Sequence, residues 1–226
     1  MPLSRRRLSR SVEDYLKAIF TLCERADAAT TSALAQLLEV QPASVTGMVK
    51  RLAESGLLEH VPYHGVRLTS RGTREALLVI RRHRIIETYL VERLDYSWDD
   101  VHGEAERLEH AASEGLIERM AAALEHPSHD PHGAPIPTRA GKIEVSELAT
   151  LADVAPGADL FIRAVADEDA EGLRSLEARG MTLGVSLHVE GRAVDGVVSV
   201  RVGGPGGARQ EVGHKLARHI YVAEAD

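Results

Sequence analysis

What most restricts this chain's fold is one change of texture at Pro127 to Gly141, where Pro, Gly and His crowd together and a helical pattern stops. Before that stretch, apolar residues recur every three or four positions over long segments. After it they fall in short β-type runs, Leu160 to Ala164, Ser186 to Val189, Val197 to Val202 and His219 to Val222, interrupted by one helical stretch around Glu168 to Arg179. The 226 residues, 44% of them hydrophobic, suffice for more than one core. The break therefore reads as a linker between a helical front and a small β-barrel-like rear, in which Gly203-Gly204-Pro205-Gly206-Gly207 marks a tight loop.

The front resolves further. Ser11-Val12-Glu13-Asp14 places a hydroxyl three residues before an acid, which predicts a helix start, and Tyr15, Leu16, Ile19, Phe20 and Leu22 supply its apolar face as far as about Arg25. Thr30-Thr31-Ser32 caps a short helix holding Leu34, Ala35, Leu37 and Leu38, and Glu39-Val40-Gln41 turns the chain. Pro42 suits the first position of a third helix, because its fixed φ is helical and its missing N–H has no partner there. Val45, Met48, Val49 and Leu52 recur on one face before Gly56, a left-handed cap. Leu57 to Val61 and Val66 to Thr69 flank Pro62-Tyr63-His64-Gly65 as a hairpin. Helix, helix, turn, helix and hairpin spell a winged helix-turn-helix.

Thr69 caps the next helix. Glu75 to Leu94 and Asp99 to Leu124 are predicted as two long amphipathic helices, whose surplus apolar surface suits the interface of a homodimer. The predicted class is thus mainly α with β: a winged helix-turn-helix over 1–75, a helical metal-binding and dimerisation domain over 76–140, a linker over 141–150 and an SH3-like small β-barrel over 151–226.

The net charge of −7 excludes a uniformly basic coat, yet residues 1–75 carry eleven Lys and Arg against eight Asp and Glu, so the acidity lies in the rear. Arg5, Arg6, Arg7 and Arg10 form a basic arm. In the third helix Gln41, Ala43, Ser44 and Thr46 lead and Lys50 and Arg51 follow, small residues for base edges or phosphates and cations for the backbone of double-stranded operator DNA. No apolar run of about 18 residues exists and the N-terminus lacks a secretory stretch, so a cytoplasmic protein that spans no membrane is expected. Cys23 is the only cysteine, which excludes an internal disulfide and leaves any metal site to His and carboxylates.

Such groups cluster. In His102-Gly103-Glu104-Ala105-Glu106-Arg107-Leu108-Glu109-His110, positions 102, 106, 109 and 110 are spaced to share one helix face, and His83 and Glu87 repeat the four-residue spacing on the preceding helix. A solvated charged face explains either group alone and both together much less well. Asp14 has two readings, ion ligand or the acid of a capping box begun by Ser11. His126, His129 and His132 stand at three-residue spacing among prolines and read as a loop rather than a metal site.

These residues resemble the diphtheria toxin repressor and manganese transport regulator family along nearly the whole chain: Glu13-Asp14-Tyr15-Leu16, Pro42 to Arg51, Arg82-His83-Arg84, Val101-His102 through Glu109-His110, and Pro131-His132-Gly133-Ala134-Pro135-Ile136-Pro137. The rear is similar to the SH3-like module shared with a ferrous-transport accessory protein. The resemblance implies a metal-dependent transcriptional regulator, not an enzyme, which represses metal-uptake genes. It implies a primary site at Asp14, Glu106, Glu109 and His110 and an ancillary one at His83, Glu87 and His102, to which Asp167 and Glu168 of the third domain are further candidates. Carboxylates stand at positions 14 and 106, where iron-responding members carry Met and Cys, so hard oxygen donors point to Mn(II), with Fe(II), Co(II) or Zn(II) also able to bind. Manganese-type members have a further Glu where this chain has Lys17. The rivals are an iron-responsive regulator, a metallohydrolase using Glu106, Glu109 and His110, and a metal-independent regulator with structural histidines.

Overall fold

The structure is a computed structural model that describes residues 8–24, 26–144, 148–166 and 169–224. Arg5, Arg6, Arg7, Asp167 and Glu168 lie outside the described residues. The chain packs as two compact units: the chain up to His83 with Arg107–Ile117 and Ile136–Ile143, and Arg84–Glu106 with Glu118–Pro135 and the chain from Glu144 on.

In the first unit, α1 (Arg10–Cys23), α2 (Thr31–Leu37) and α3 (Pro42–Glu54) precede an antiparallel hairpin of β1 (Leu58–Val61) and β2 (Gly65–Leu68), paired from Leu58↔Leu68 to Val61↔Gly65. The predicted punctuation holds. Thr30 Oγ1 accepts the Ala33 N–H at 3.1 Å to cap α2, Pro42 opens α3, and Gly56 follows α3 at φ +71°. Leu16 and Ile19 of α1, Leu34 of α2, Val45 and Leu52 of α3 and Val66 of β2 close one core, so α1 and α3 share a packed interior. Each fully buried Leu or Ile contributes about 1.5–3 kcal/mol of stability, and a close-packed core of this kind transmits displacement from one helix to another.

The start of α1 differs from expectation. Ser9 occupies the cap position with no side-chain bond, and Ser11 lies inside the first turn. Asp14 is therefore not the acid of a capping box. Thr69 does cap α4 (Ser70–Leu94), accepting the Gly72 N–H at 3.1 Å.

The predicted helix over Asp99 to Leu124 is two helices, α5 (Val101–Leu108) and α6 (Glu114–Ala123). The apolar period runs on through Leu108, Ala112 and Leu116, but the backbone N–H groups of Ala111 and Ala112 both close on the Leu108 carbonyl, and Ser113 Oγ accepts the Leu116 N–H. Local capping overrides the period. Glu109 and His110 thus sit in a turn, so positions 102, 106, 109 and 110 do not share a helix face.

The second unit is built on an antiparallel sheet ordered β3-β8-β4-β5-β6-β7, with β3 (Ala149–Thr150), β4 (Asp159–Val165), β5 (Ser186–Arg192), β6 (Val198–Val202), β7 (Ala208–Val212) and β8 (Ile220–Glu224). Among the described residues β3 and β7 are edges, so this SH3-like sheet is open rather than closed into the expected barrel. Helix α7 (Ala170–Ala178) buries Leu173 and Leu176 against Ile162, Leu187, Val198, Val200 and Ile220, and α8 (His214–Ala217) precedes β8. The linker lies against β4: the Val165 N–H donates to the His132 carbonyl at 2.9 Å. Gly133, at φ +85°, allows that approach, since a Cβ there would stand 2.1 Å from the Arg163 carbonyl oxygen. No described helix is long and apolar enough to cross a membrane.

Candidate metal centre

Two groups of ion-competent side chains each lie within a single unit, one in the first and one in the second. In the first, Asp14 from α1 meets Glu109 and His110 from the turn after α5, with one ligand atom of each within 4.8 Å of the others. His110 is fixed by Glu13. Its Nδ1 lies 2.8 Å from Glu13 Oε2, and because a carboxylate only accepts, Nδ1 carries the proton. In the neutral imidazole Nε2 then keeps its lone pair, and that atom is buried and without a hydrogen-bond partner among the described residues. It nevertheless faces Asp14 Oδ1 at 2.8 Å and Glu109 Oε1 at 3.2 Å. A lone pair against two carboxylate oxygens is repulsive, so the arrangement suits a cation among them. These donors fit a divalent ion.

The surroundings hold that geometry. Arg82 Nη2 donates to Glu13 Oε1 at 2.6 Å, anchoring the carboxylate that orients His110. Glu109 is fully buried, and Lys17 Nζ donates to both its oxygens, at 3.1 and 3.2 Å. His83 Nδ1 donates to Glu109 Oε2 at 2.6 Å, so the lysine, 3.5 Å from that nitrogen, is a neighbour rather than its donor. Burial pushes the Glu109 carboxyl up, but the His83 hydrogen bond and the Lys17 charge outweigh it and hold the group below the usual carboxylate range.

The second group was not legible as a set. Glu87 of α4 and Asp130 and His132 of the linker are all buried, with one ligand atom of each within 4.8 Å of the others. His132 Nε2 donates to the Trp98 carbonyl at 2.7 Å and the imidazole stacks on the Trp98 ring, which fixes the tautomer. Nδ1 is left with its lone pair, buried and without a hydrogen-bond partner among the described residues. Asp130 Oδ1 accepts the backbone N–H groups of His132 and Ala134, at 2.9 and 3.0 Å, and Arg84 Nε lies 3.3 Å from Oδ2. The linker histidines therefore part company: His126 and His129 are exposed, and His132 is buried beside two carboxylates. The signal in the sequence was Asp130-Pro131-His132, an acid and an imidazole locked two residues apart.

The other expected ligands divide between the two units. Glu106 belongs to the second unit, where Oε1 lies 3.7 Å from His102 Nε2, and His102 Nδ1 lies 3.2 Å from Glu87 Oε1. Of the expected ancillary residues, Glu87 and His102 meet within the second unit, and His83, counted with the first unit, bonds Glu109. On α3 and its cap, Gln41, Ala43, Ser44, Thr46, Lys50 and Arg51 are all exposed, as is Arg10 of α1. The Thr46 hydroxyl donates to the Pro42 carbonyl at 3.1 Å.

Comparison with known proteins agrees with this layout. Residues 7–66 match the iron dependent repressor N-terminal DNA binding domain, residues 69–138 the iron dependent repressor metal binding and dimerisation domain, and residues 149–224 the FeoA domain. The chain is 37% identical over 119 residues to an uncharacterized HTH-type transcriptional regulator of Methanocaldococcus jannaschii, covering 52% of this chain and 95% of that protein. It is 35% identical over 127 residues to the iron-dependent repressor IdeR of Mycobacterium leprae, 56% of this chain and 55% of the relative. A solved manganese-dependent transcriptional repressor in complex with manganese superposes with a TM-score of 0.89 at 36% identity, over 95% of this chain and 100% of that one.

Proposed function

We propose, from the premise that this chain belongs to the iron dependent repressor family of transcriptional regulators, that it is a manganese-dependent homodimer repressing metal-uptake genes. The observation that carries the reading is His110 Nε2, a buried lone pair facing Asp14 and Glu109. In this reading Asp14, Glu109 and His110 hold one divalent ion and Glu87, Asp130 and His132 a second. Both sets are oxygen and imidazole donors without thiolate, which narrows the advantage of softer, later ions over Mn(II).

The ion supplies the positive charge that holds two carboxylates and an imidazole together. The protein supplies the coupling. Asp14 rides on α1, and α1 shares its core with α3, whose exposed Gln41, Ala43, Ser44, Thr46, Lys50 and Arg51 face the DNA in this reading. Fixing Asp14 against the turn of Glu109 and His110 fixes α3 with it, so that the recognition helices of a dimer meet successive major grooves. Leu94, Tyr96, Leu108 and Leu116 are exposed in the single chain and supply apolar surface for the second copy to cover. The coupling is reciprocal, so operator DNA tightens ion binding.

The test is an anaerobic operator-binding titration of the purified protein with Mn(II), Fe(II) and chelator. Binding that is tight with Mn(II) and weak with chelator is expected. Equal binding in both overturns the reading, and stronger activation by Fe(II) transfers it to iron, the metal named for the Mycobacterium leprae relative.

A further inference from the structure

The first group already contains a cation. Lys17 Nζ lies 3.1 and 3.2 Å from the two oxygens of Glu109, whose side chain is fully buried, and the lysine side chain is itself only 20% exposed. Both carboxylate oxygens are thus committed to an ammonium one helical turn along α1 from Asp14. Around the site the carboxylates Glu13, Asp14 and Glu109 face two fixed cations, Arg82 and Lys17, and Arg82 also reaches the exposed Glu114 at 3.2 Å. Arg82 is spent on Glu13, where it helps to orient His110. Lys17 instead sits on a candidate ion ligand, and the single positive charge it supplies there is part of what a divalent ion would bring.

We propose that Lys17 is a tethered internal competitor for the ion: its ammonium neutralises Glu109 in the ion-free protein and must leave that carboxylate for the ion to be held. This rests on the assignment of Asp14, Glu109 and His110 as ligands. Lys17 then sets the affinity of the site, raising the free-ion concentration at which the protein responds. Lys17 and Asp14 both ride on α1 and both meet the turn, so releasing Lys17 from Glu109 while Asp14 stays in place changes how α1 is held. The partial exposure of Lys17 gives the displaced ammonium a route to water.

Two measurements on the full-length protein test this. Calorimetric titration with Mn(II) compares the wild type with Lys17→Met, which keeps the apolar stem without the charge, and Lys17→Arg, which keeps the charge. Lys17→Met is expected to bind Mn(II) about tenfold tighter or more, and Lys17→Arg no tighter than wild type. Equal or weaker binding by Lys17→Met overturns the proposal alone. If wild type and His110→Ala take up the same number of ions, the ligand assignment falls and the proposal with it. The second measurement needs no variant: acetylation of Lys17 by an amine-reactive ester, followed by mass spectrometry with and without Mn(II). Release from Glu109 predicts several-fold faster labelling in Mn(II), and unchanged or slower labelling means that the ammonium stays in place.

Discussion

The two ion-competent groups use the same chemistry and are assembled in opposite ways. Asp14 comes from α1 while Glu109 and His110 come from a turn far along the chain, and Asp14 keeps 33% of its side chain exposed. Asp130 and His132 stand two residues apart in a proline-bounded loop, with Asp130 held by that loop's own amides. A site assembled from distant segments exists only when those segments are together, so its occupancy reports on conformation. A site with two of its three ligands held by one loop, and only Glu87 brought from α4, is more nearly preorganised and reports less on conformation. In the proposed reading this difference gives coupling to the first group and bracing of the linker to the second.

The comparison is most easily broken at the operator. Asp14→Ala is expected to remove most of the metal-dependent gain in operator affinity, about a hundredfold if the coupling lies at the upper end of the usual range. Asp130→Ala should leave that gain within about fivefold of wild type. Fluorescence anisotropy with labelled operator in Mn(II) and in chelator reads both. Equal losses in the two variants would abolish the division of labour.

A somewhat smaller effect is expected behind the first site. Glu13 touches no candidate ion, yet it holds the His110 tautomer and is held by Arg82. Glu13→Gln should therefore weaken Mn(II) binding by about 10–100-fold with every ligand still present. Calorimetry checks this, and an unchanged affinity would make Glu13 a purely structural partner of Arg82.

These contrasts also explain what the sequence showed and what it hid. The winged helix was legible because each of its signals is local: the Thr30 cap, Pro42 at the start of α3, Gly56 after its end. Glu109 and His110 were legible as chemistry but misplaced on a helix face, because the apolar period continues through a break that only the Ser113 cap reveals. Asp14 carried an ambiguity between cap and ligand that needed the position of Ser9 to resolve. The Glu87, Asp130 and His132 group was hidden because Glu87 is separated from the other two by α5 and α6, and the Asp130-Pro131-His132 spacing alone does not show that His132 is buried while His126 and His129 are exposed. Lys17 was visible only as a departure from the family. That its ammonium sits on Glu109 is a fact of three-dimensional packing.

Bracing can be measured apart from coupling. His132→Phe keeps an aromatic ring beside Trp98 and removes the Nδ1 lone pair. Ion content should fall by one equivalent per chain. An ion at about a hundred times its dissociation constant stabilises the folded state by about 2.7 kcal/mol, so the melting temperature in excess Mn(II) should drop by about 5–10 °C. With chelator, the variant and wild type should melt close together. A wild-type ion count in the variant would show that the second group holds no ion.

The smallest effect concerns acid, and it separates the first group from the second through Glu109. Burial raises the Glu109 carboxyl, but the hydrogen bond from His83 and the charge of Lys17 win, so its pKa in the folded chain lies below the ordinary value of about 4.3. A carboxyl depressed by folding contributes stability that is fully present above the unfolded pKa and is lost as pH falls through the folded one. The ion-free protein should therefore lose stability on acidification below about pH 4.3, and Glu109→Gln, less stable at neutral pH, should lose less over the same interval. Urea unfolding in chelator between pH 3 and 6 gives both curves. If they run parallel, the Lys17 and His83 contacts to Glu109 do not stabilise its charged form, and the competition proposed for Lys17 loses its electrostatic basis.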